Sequence, residues 1–141
     1  MNAKLIKETM DIPAGLTVTV NSSIVTIKGP KGELTRGFKY PKIELESKDG
    51  KLEVRSKDAT KKEKMMIGTY AAHLKNMIIG VLEGYTYTLK VCSGHFPMNV
   101  AITGKVFSVK NFLGEKIPRE LVIKDGTIVK LEGDIITVES I

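Results

Sequence analysis

Between residues 12 and 56 several short stretches alternate apolar and polar side chains. Val18 and Val20 alternate with Thr17 and Thr19, the period of a strand with one buried face. Asn21-Ser22-Ser23 reads as a turn, and IVTIKG (24–29) as a second strand. Gly29-Pro30-Lys31-Gly32 interrupts it, because Pro lacks an amide donor and Gly permits positive φ. ELTRGF (33–38) resumes the alternation. KIELES and KLEVRS, joined through Asp49-Gly50, then predict a hairpin. In its second arm Leu52 and Val54 alternate with Glu53 and Arg55, so one face is buried and the other wet.

Beyond Ser56 the period lengthens. Ile67, Tyr70/Ala71, Leu74, Met77/Ile78 and Val81 recur at helical spacing, and Thr60 with Glu63 forms a capping box. The spacing predicts a helix of about 20 residues from near Lys61, with Gly80 and Gly84 as candidate stops. Its stripe must lie on the strands to be buried, so residues 1–81 form a first α+β unit.

Residues 82–141 repeat the alternation. YTYTLKVCSGHFP (85–97) is a strand running into a Gly-Pro break. At an offset of 82, Val18 falls on Val100, Val20 on Ile102, Ile24 on Val106, Ile27 on Val109 and Lys28 on Lys110. Gly32 then falls on Gly114 and Glu33 on Glu115. At an offset of 84, Leu52 meets Ile136 and Val54 meets Val138. The chain therefore reads as a tandem duplication of class α+β. Two similar small units are expected, 1–81 and 82–141, each an antiparallel β-sheet with one packed helix. The second unit supplies only its β part. Ser56 leads into a helix, whereas its counterpart Ser140 is followed by Ile141 alone. An uncovered apolar sheet face is rare in soluble monomers. The expectation is that the natural polypeptide continues, or that a partner covers this face.

Composition adds limits. Of 141 residues, 42% are hydrophobic and 27% charged, which excludes a disordered chain. The single cysteine, Cys92, cannot form an intrachain disulfide and fits a reducing compartment. MNAKLIKETMDIP lacks the apolar run of a secretory signal. No run approaches the ~20 apolar residues that span a bilayer. A soluble, cytoplasmic protein with no membrane partner is expected.

Net charge is +6, which points to a polyanionic partner. Residues 1–81 hold 15 Lys and Arg against 9 Asp and Glu, while residues 82–141 hold 7 of each. The second unit is nonetheless polarised. Within 90–119, Lys90, Lys105, Lys110, Lys116 and Arg119 face one acid, Glu115. They gather about VKNFLGEKIPR (109–119), where Phe112 and Leu113 stand beside Gly114 in a turn that would ordinarily be small and polar. An apolar tip with a basic collar suits docking on phosphates.

Other candidate chemistry is thin. Cys92 and His95 offer two ligands where zinc wants about four, and no third catalytic group is visible. They read as a small buried thiol and a turn histidine. GPKG does not satisfy the phosphate-loop pattern. Glu44, Glu46 and Glu53 look like a solvated strand face. KDATKKEK (57–64) is a basic run at a helix start, disfavoured there by the helix dipole. It reads as a solvated first turn or as a phosphate-contacting patch. No enzyme activity, cofactor, metal or small-molecule substrate is expected.

CSGHFPMNV, VKNFLGEKIPR, IKGPKGELTR and IGTYAAHLKNMIIGV together resemble the large-subunit ribosomal protein family conventionally called L-six, in its archaeal and eukaryotic branch. The resemblance runs over essentially the whole chain. It implies a non-catalytic protein of two similar α+β units that binds large-subunit rRNA near the stalk base and factor-binding region, beside neighbouring ribosomal proteins. It implies rRNA contact around Asn111, Phe112, Leu113, Gly114 and Lys116, with Arg119 behind, and Lys105, Lys110, His95 and Phe96 as further candidates. Members of this branch carry a second helix and a basic C-terminal segment that this sequence does not contain. The competing function is a protein-interaction module that uses the apolar tip and a sheet edge.

Overall fold

The computed structural model describes residues 5–92 and 96–141. Its contacts divide the chain into two compact units. One runs to Gly84 and takes in Ile141; the other spans Tyr85–Ser140.

The first unit is built from β1 (Ile6–Asp11), β2 (Thr17–Asn21), β3 (Ile24–Gly29), β4 (Gly32–Gly37), β5 (Glu44–Lys48), β6 (Lys51–Ser56) and α1 (Lys61–Leu82). The strands divide between two antiparallel sheets, ordered β1-β6-β5 and β2-β3-β4. Asp49 and Gly50 both take positive φ (53° and 71°), which matches the twist of the β5–β6 hairpin they close. Met10, Leu52 and Val54 from one sheet and Val25 and Ile27 from the other turn inward. The α1 stripe, Ile67, Tyr70, Ala71, Leu74, Met77, Ile78 and Val81, is buried on them, and α1 packs against β1, β3, β4 and β6. Phe38 meets Tyr70 edge to face at 4.9 Å.

The helix ends are closed by named groups. Glu63 accepts the Thr60 backbone N–H at 2.8 Å and the Tyr40 hydroxyl at 3.2 Å. At the other end Gly84 (φ 78°) donates to Gly80 O at 2.9 Å, and the Lys31 N–H donates to Val81 O at 3.0 Å. The β3–β4 turn thus caps the helix terminus. A Cβ on Gly29 would lie 2.7 Å from Val81 O, so only glycine allows this approach.

The second unit holds β7 (Tyr85–Lys90), β8 (Asn99–Thr103), β9 (Val106–Lys110), a short 3₁₀ turn (Phe112–Gly114), β10 (Arg119–Val122), β11 (Ile128–Glu132) and β12 (Ile135–Ser140). Its sheets, β11-β12-β7 and β10-β9-β8, match those of the first unit strand for strand. Non-local hydrogen bonds repeat as well. Phe38 N donates to Ser23 O at 2.6 Å, and Ile123 N to Lys105 O at 2.7 Å; Ile12 N donates to Gly50 O at 2.9 Å, and Val91 N to Asp134 O at 2.7 Å.

These pairings correct the hairpin alignment drawn from sequence. Ile27 pairs with Leu34 in the first unit, whereas Val109 pairs with Arg119 in the second. The second hairpin is three residues longer, so Gly114 and Glu115 are not the structural counterparts of Gly32 and Glu33. The loop between β7 and β8 (91–98) is likewise three residues longer than that between β1 and β2 (12–16).

Among the described residues the second unit contains no α-helix of its own. Leu89, Phe107, Leu121, Val129, Ile136 and Val138 line an open apolar cleft of about 300 Å³.

Candidate nucleic-acid interface

The two lengthened loops of the second unit meet. Asn111, at the end of β9, donates from Nδ2 to the Pro97 carbonyl at 3.0 Å. The Phe96 ring lies 3.9 Å from where a Gly114 Cβ would sit, which is ordinary contact. Space therefore does not demand glycine there; its φ of 80° does.

Backbone geometry makes the tip. Asn111 (φ 58°), Leu113 (φ 51°) and Gly114 are all left-handed, and Glu115 N–H closes the turn on Phe112 O at 3.0 Å. Asn tolerates this region, but for Leu it costs roughly 1–2 kcal/mol. The strain aims Leu113 outward, where it is 73% exposed; Ile117 beyond it is 81% exposed. Large apolar side chains so fully in water mark a contact surface when they lie together.

Arg119 has a different role from the neighbouring lysines. Its Nε and Nη2 grip the two carboxylate oxygens of Glu115 at 2.9 and 2.7 Å, and its guanidinium lies 4.5 Å from the Phe112 ring centre. Hydrogen bonding to Arg119 holds the Glu115 carboxyl below its ordinary range, and the same bonds raise the Arg119 pKa. Arg119 thus braces the loop and covers one face of Phe112. Lys110 and Lys116 are exposed, and among the described residues neither makes an ion pair. They are the tip's uncompensated charges.

The structure therefore gathers Phe96, Lys110, Asn111, Phe112, Leu113, Gly114, Lys116 and Arg119 at one end of the second unit. Lys105 is not among them. It sits in the β8–β9 turn, at the opposite end of β9, paired with Asp125. His95 lies outside the described residues. Cys92 is exposed rather than buried, because it follows β7 into the lengthened loop. Sequence reasoning missed Ile117 and the Glu115–Arg119 fork. The i,i+4 spacing of that pair was visible, but outside a helix it carries no expectation of contact.

Comparison with known proteins fits this architecture. The family model for ribosomal protein L6 matches residues 12–84. The large ribosomal subunit protein uL6 of Methanosarcina mazei is 44% identical over 98% of this chain and 78% of its own length. That of Methanobrevibacter smithii is 39% identical over 99% and 78%, and that of Methanospirillum hungatei 38% over 96% and 77%. The chain belongs to the ribosomal protein L6 family, a family of structural constituents of the ribosome rather than of enzymes. Among the described residues no helix is long and apolar enough to cross a membrane.

Proposed function

We propose that this protein binds large-subunit rRNA through the hairpin tip of its second unit. In this reading it sits in the cytoplasmic large subunit, near the stalk base and the factor-binding region, among neighbouring ribosomal proteins. The observation that carries the reading is the convergence of the two lengthened loops. They build a braced tip that presents two uncompensated lysines around exposed Leu113.

Each side chain has a distinct task. Lys110 and Lys116 contact phosphates and release their counterions. Leu113 packs on an unstacked base or a ribose, and the glycine beside it lets the backbone approach closely. Asn111, Glu115, Phe112 and Arg119 keep the tip in shape before RNA arrives, which lowers the cost of ordering it on binding. Specificity comes from the folded shape of the RNA rather than from a base code.

The test is binding to large-subunit rRNA across a salt series, with chemical footprinting to locate the contact. Reversing charge at Lys110 and Lys116 together is expected to weaken binding about tenfold or more at moderate salt and to flatten the salt dependence. Unchanged affinity refutes the tip assignment. The exposure of Leu113 and Ile117 also favours a second reading, a protein-interaction module using the apolar tip. Affinity for a protein partner that survives high salt would support it.

A further inference from the structure

We infer that the first unit carries a second phosphate-binding surface for the same RNA, built from five lysines around the start of α1; this rests on the ribosomal reading above. The fold brings two separate segments together there. Tyr40 reaches Glu63 at 3.2 Å, which ties the loop between β4 and β5 to the first turn of the helix. Phe38 and Ile43, both buried, anchor the two ends of that loop. Ile43 N donates to Tyr40 O at 3.2 Å, closing the turn between them. Lys39 and Lys42 are exposed on this loop, and Lys61, Lys62 and Lys64 are exposed on the helical turn to which Tyr40 ties it.

Among the described residues none of these five lysines makes an ion pair or hydrogen bond through its side-chain ammonium. Lys57, nearby, is different: it reaches Glu44 at 3.8 Å. Besides Glu44, which is paired with Lys57 and Arg55, two acids lie in the same region. Asp58 is exposed, and Glu63 is buried and committed to Thr60 and Tyr40. Because the Glu63 carboxylate already occupies the helix N-terminus, the lysine ammoniums and not the backbone amides are the binding groups. Lysines in a first helical turn oppose the helix dipole. Three of them there, with two more delivered by a loop, make a field suited to consecutive phosphates. The second unit has no counterpart to the three helical members, since its described residues contain no α-helix.

The test compares two variants of the chain on large-subunit rRNA over a salt series. One replaces Lys39, Lys42, Lys61, Lys62 and Lys64 with Gln; the other replaces Lys110 and Lys116 with Gln. The patch variant is expected to bind tenfold or more weakly at moderate salt, with its log–log salt slope reduced by about two to four. Its melting temperature should hold or rise, because the removed charges oppose the helix dipole. An unchanged slope overturns the inference. A patch loss without a tip loss refutes the tip and leaves the patch; the converse refutes the patch and leaves the tip. Absence of rRNA binding by the unaltered chain overturns both. Poly-glutamate competing as well as rRNA overturns the assignment to RNA. Should the five-fold variant fail to fold, Lys39→Gln with Lys42→Gln, confined to the loop, is expected to show a smaller loss in the same direction, and no loss is decisive against the patch.

Discussion

Met10 and Leu89 occupy the same place in the two repeats, and one is 4% exposed while the other is 56% exposed. Each faces inward from the strand that opens its unit, opposite Leu52 and Ile136 respectively. The difference is α1. In the first unit the helix lies across both sheets and seals the core. In the second the equivalent face lines an open cleft. Equal strand patterns thus give unequal burial, and burial rather than pattern sets what a side chain contributes to stability.

A matched pair of truncations tests this most severely. Met10→Ala is expected to cost about 2–5 kcal/mol, as buried large-to-small changes do. Leu89→Ala should cost about 0.5 kcal/mol or less, since most of its surface is already in water. Urea unfolding followed by amide exchange within each unit would separate the two values. Equal costs would mean that the cleft is closed in solution, and the comparison would fail.

Much of this contrast was legible in the sequence. The 3.6-residue stripe and the Thr60–Glu63 box locate α1 almost to the residue, because both signals are local. Past Gly84 the sequence shows only strand-period alternation, and the described residues of the second unit contain no α-helix. β1 is harder to read: Ile6 and Met10 alternate with Glu8 on the inner face, so its apolar signal is weak. Its match to YTYTLK needs an offset of 79, unlike any other strand pair. The hairpin alignment failed for a related reason. Gly and Glu recur by chance within a longer loop, and only cross-strand pairing reveals the added residues. The tip residues were visible as a composition anomaly, but the bracing role of Arg119 was not. That role depends on a left-handed turn that sequence does not announce at a leucine. The lysine patch is legible only in part, since Lys39 and Lys42 join it through the tertiary contact between Tyr40 and Glu63.

The units should also differ in acid. The Thr60 side chain and backbone amide, both bonded to the Glu63 carboxylate, lower its pKa from 4.5 to about 2. A carboxyl depressed in the folded state stabilises fully above its unfolded value and loses that contribution as pH falls through the folded one. The first unit should therefore weaken between about pH 4.5 and 2, with α1 fraying from its start. Glu63→Gln should remove this acid limb, leaving a lower but flatter stability over the same range. Circular dichroism of the helix against pH reads the change directly, because α1 is the only α-helix among the described residues. An acid limb that survives the substitution would place the sensitivity elsewhere.

The smallest effect falls on one pair of serines. Ser56 and Ser140 end equivalent strands, yet the repeats treat their hydroxyls differently. Ser56 is 1% exposed, and among the described residues its Oγ has no hydrogen-bond partner. Ser140 is only half-buried and accepts from Thr127 Oγ1 at 3.4 Å. Thr127 stands where the first unit has Ile43, and that exchange removes the partner from Ser56. Ile43 is 8% exposed and joins the sealed core, so the first unit holds an apolar group there and leaves a hydroxyl desolvated. Losing an unpaired buried hydroxyl should cost nothing, so Ser56→Ala is expected to be neutral or to stabilise by up to about 1 kcal/mol. Ser140→Ala should instead destabilise by about 0.5 kcal/mol, the value of a modest, partly solvated bond. Opposite signs at equivalent positions would show that the helix, by sealing one core and not the other, has changed which side chain suits the same strand end; matching signs would reduce the difference to local hydrogen bonding.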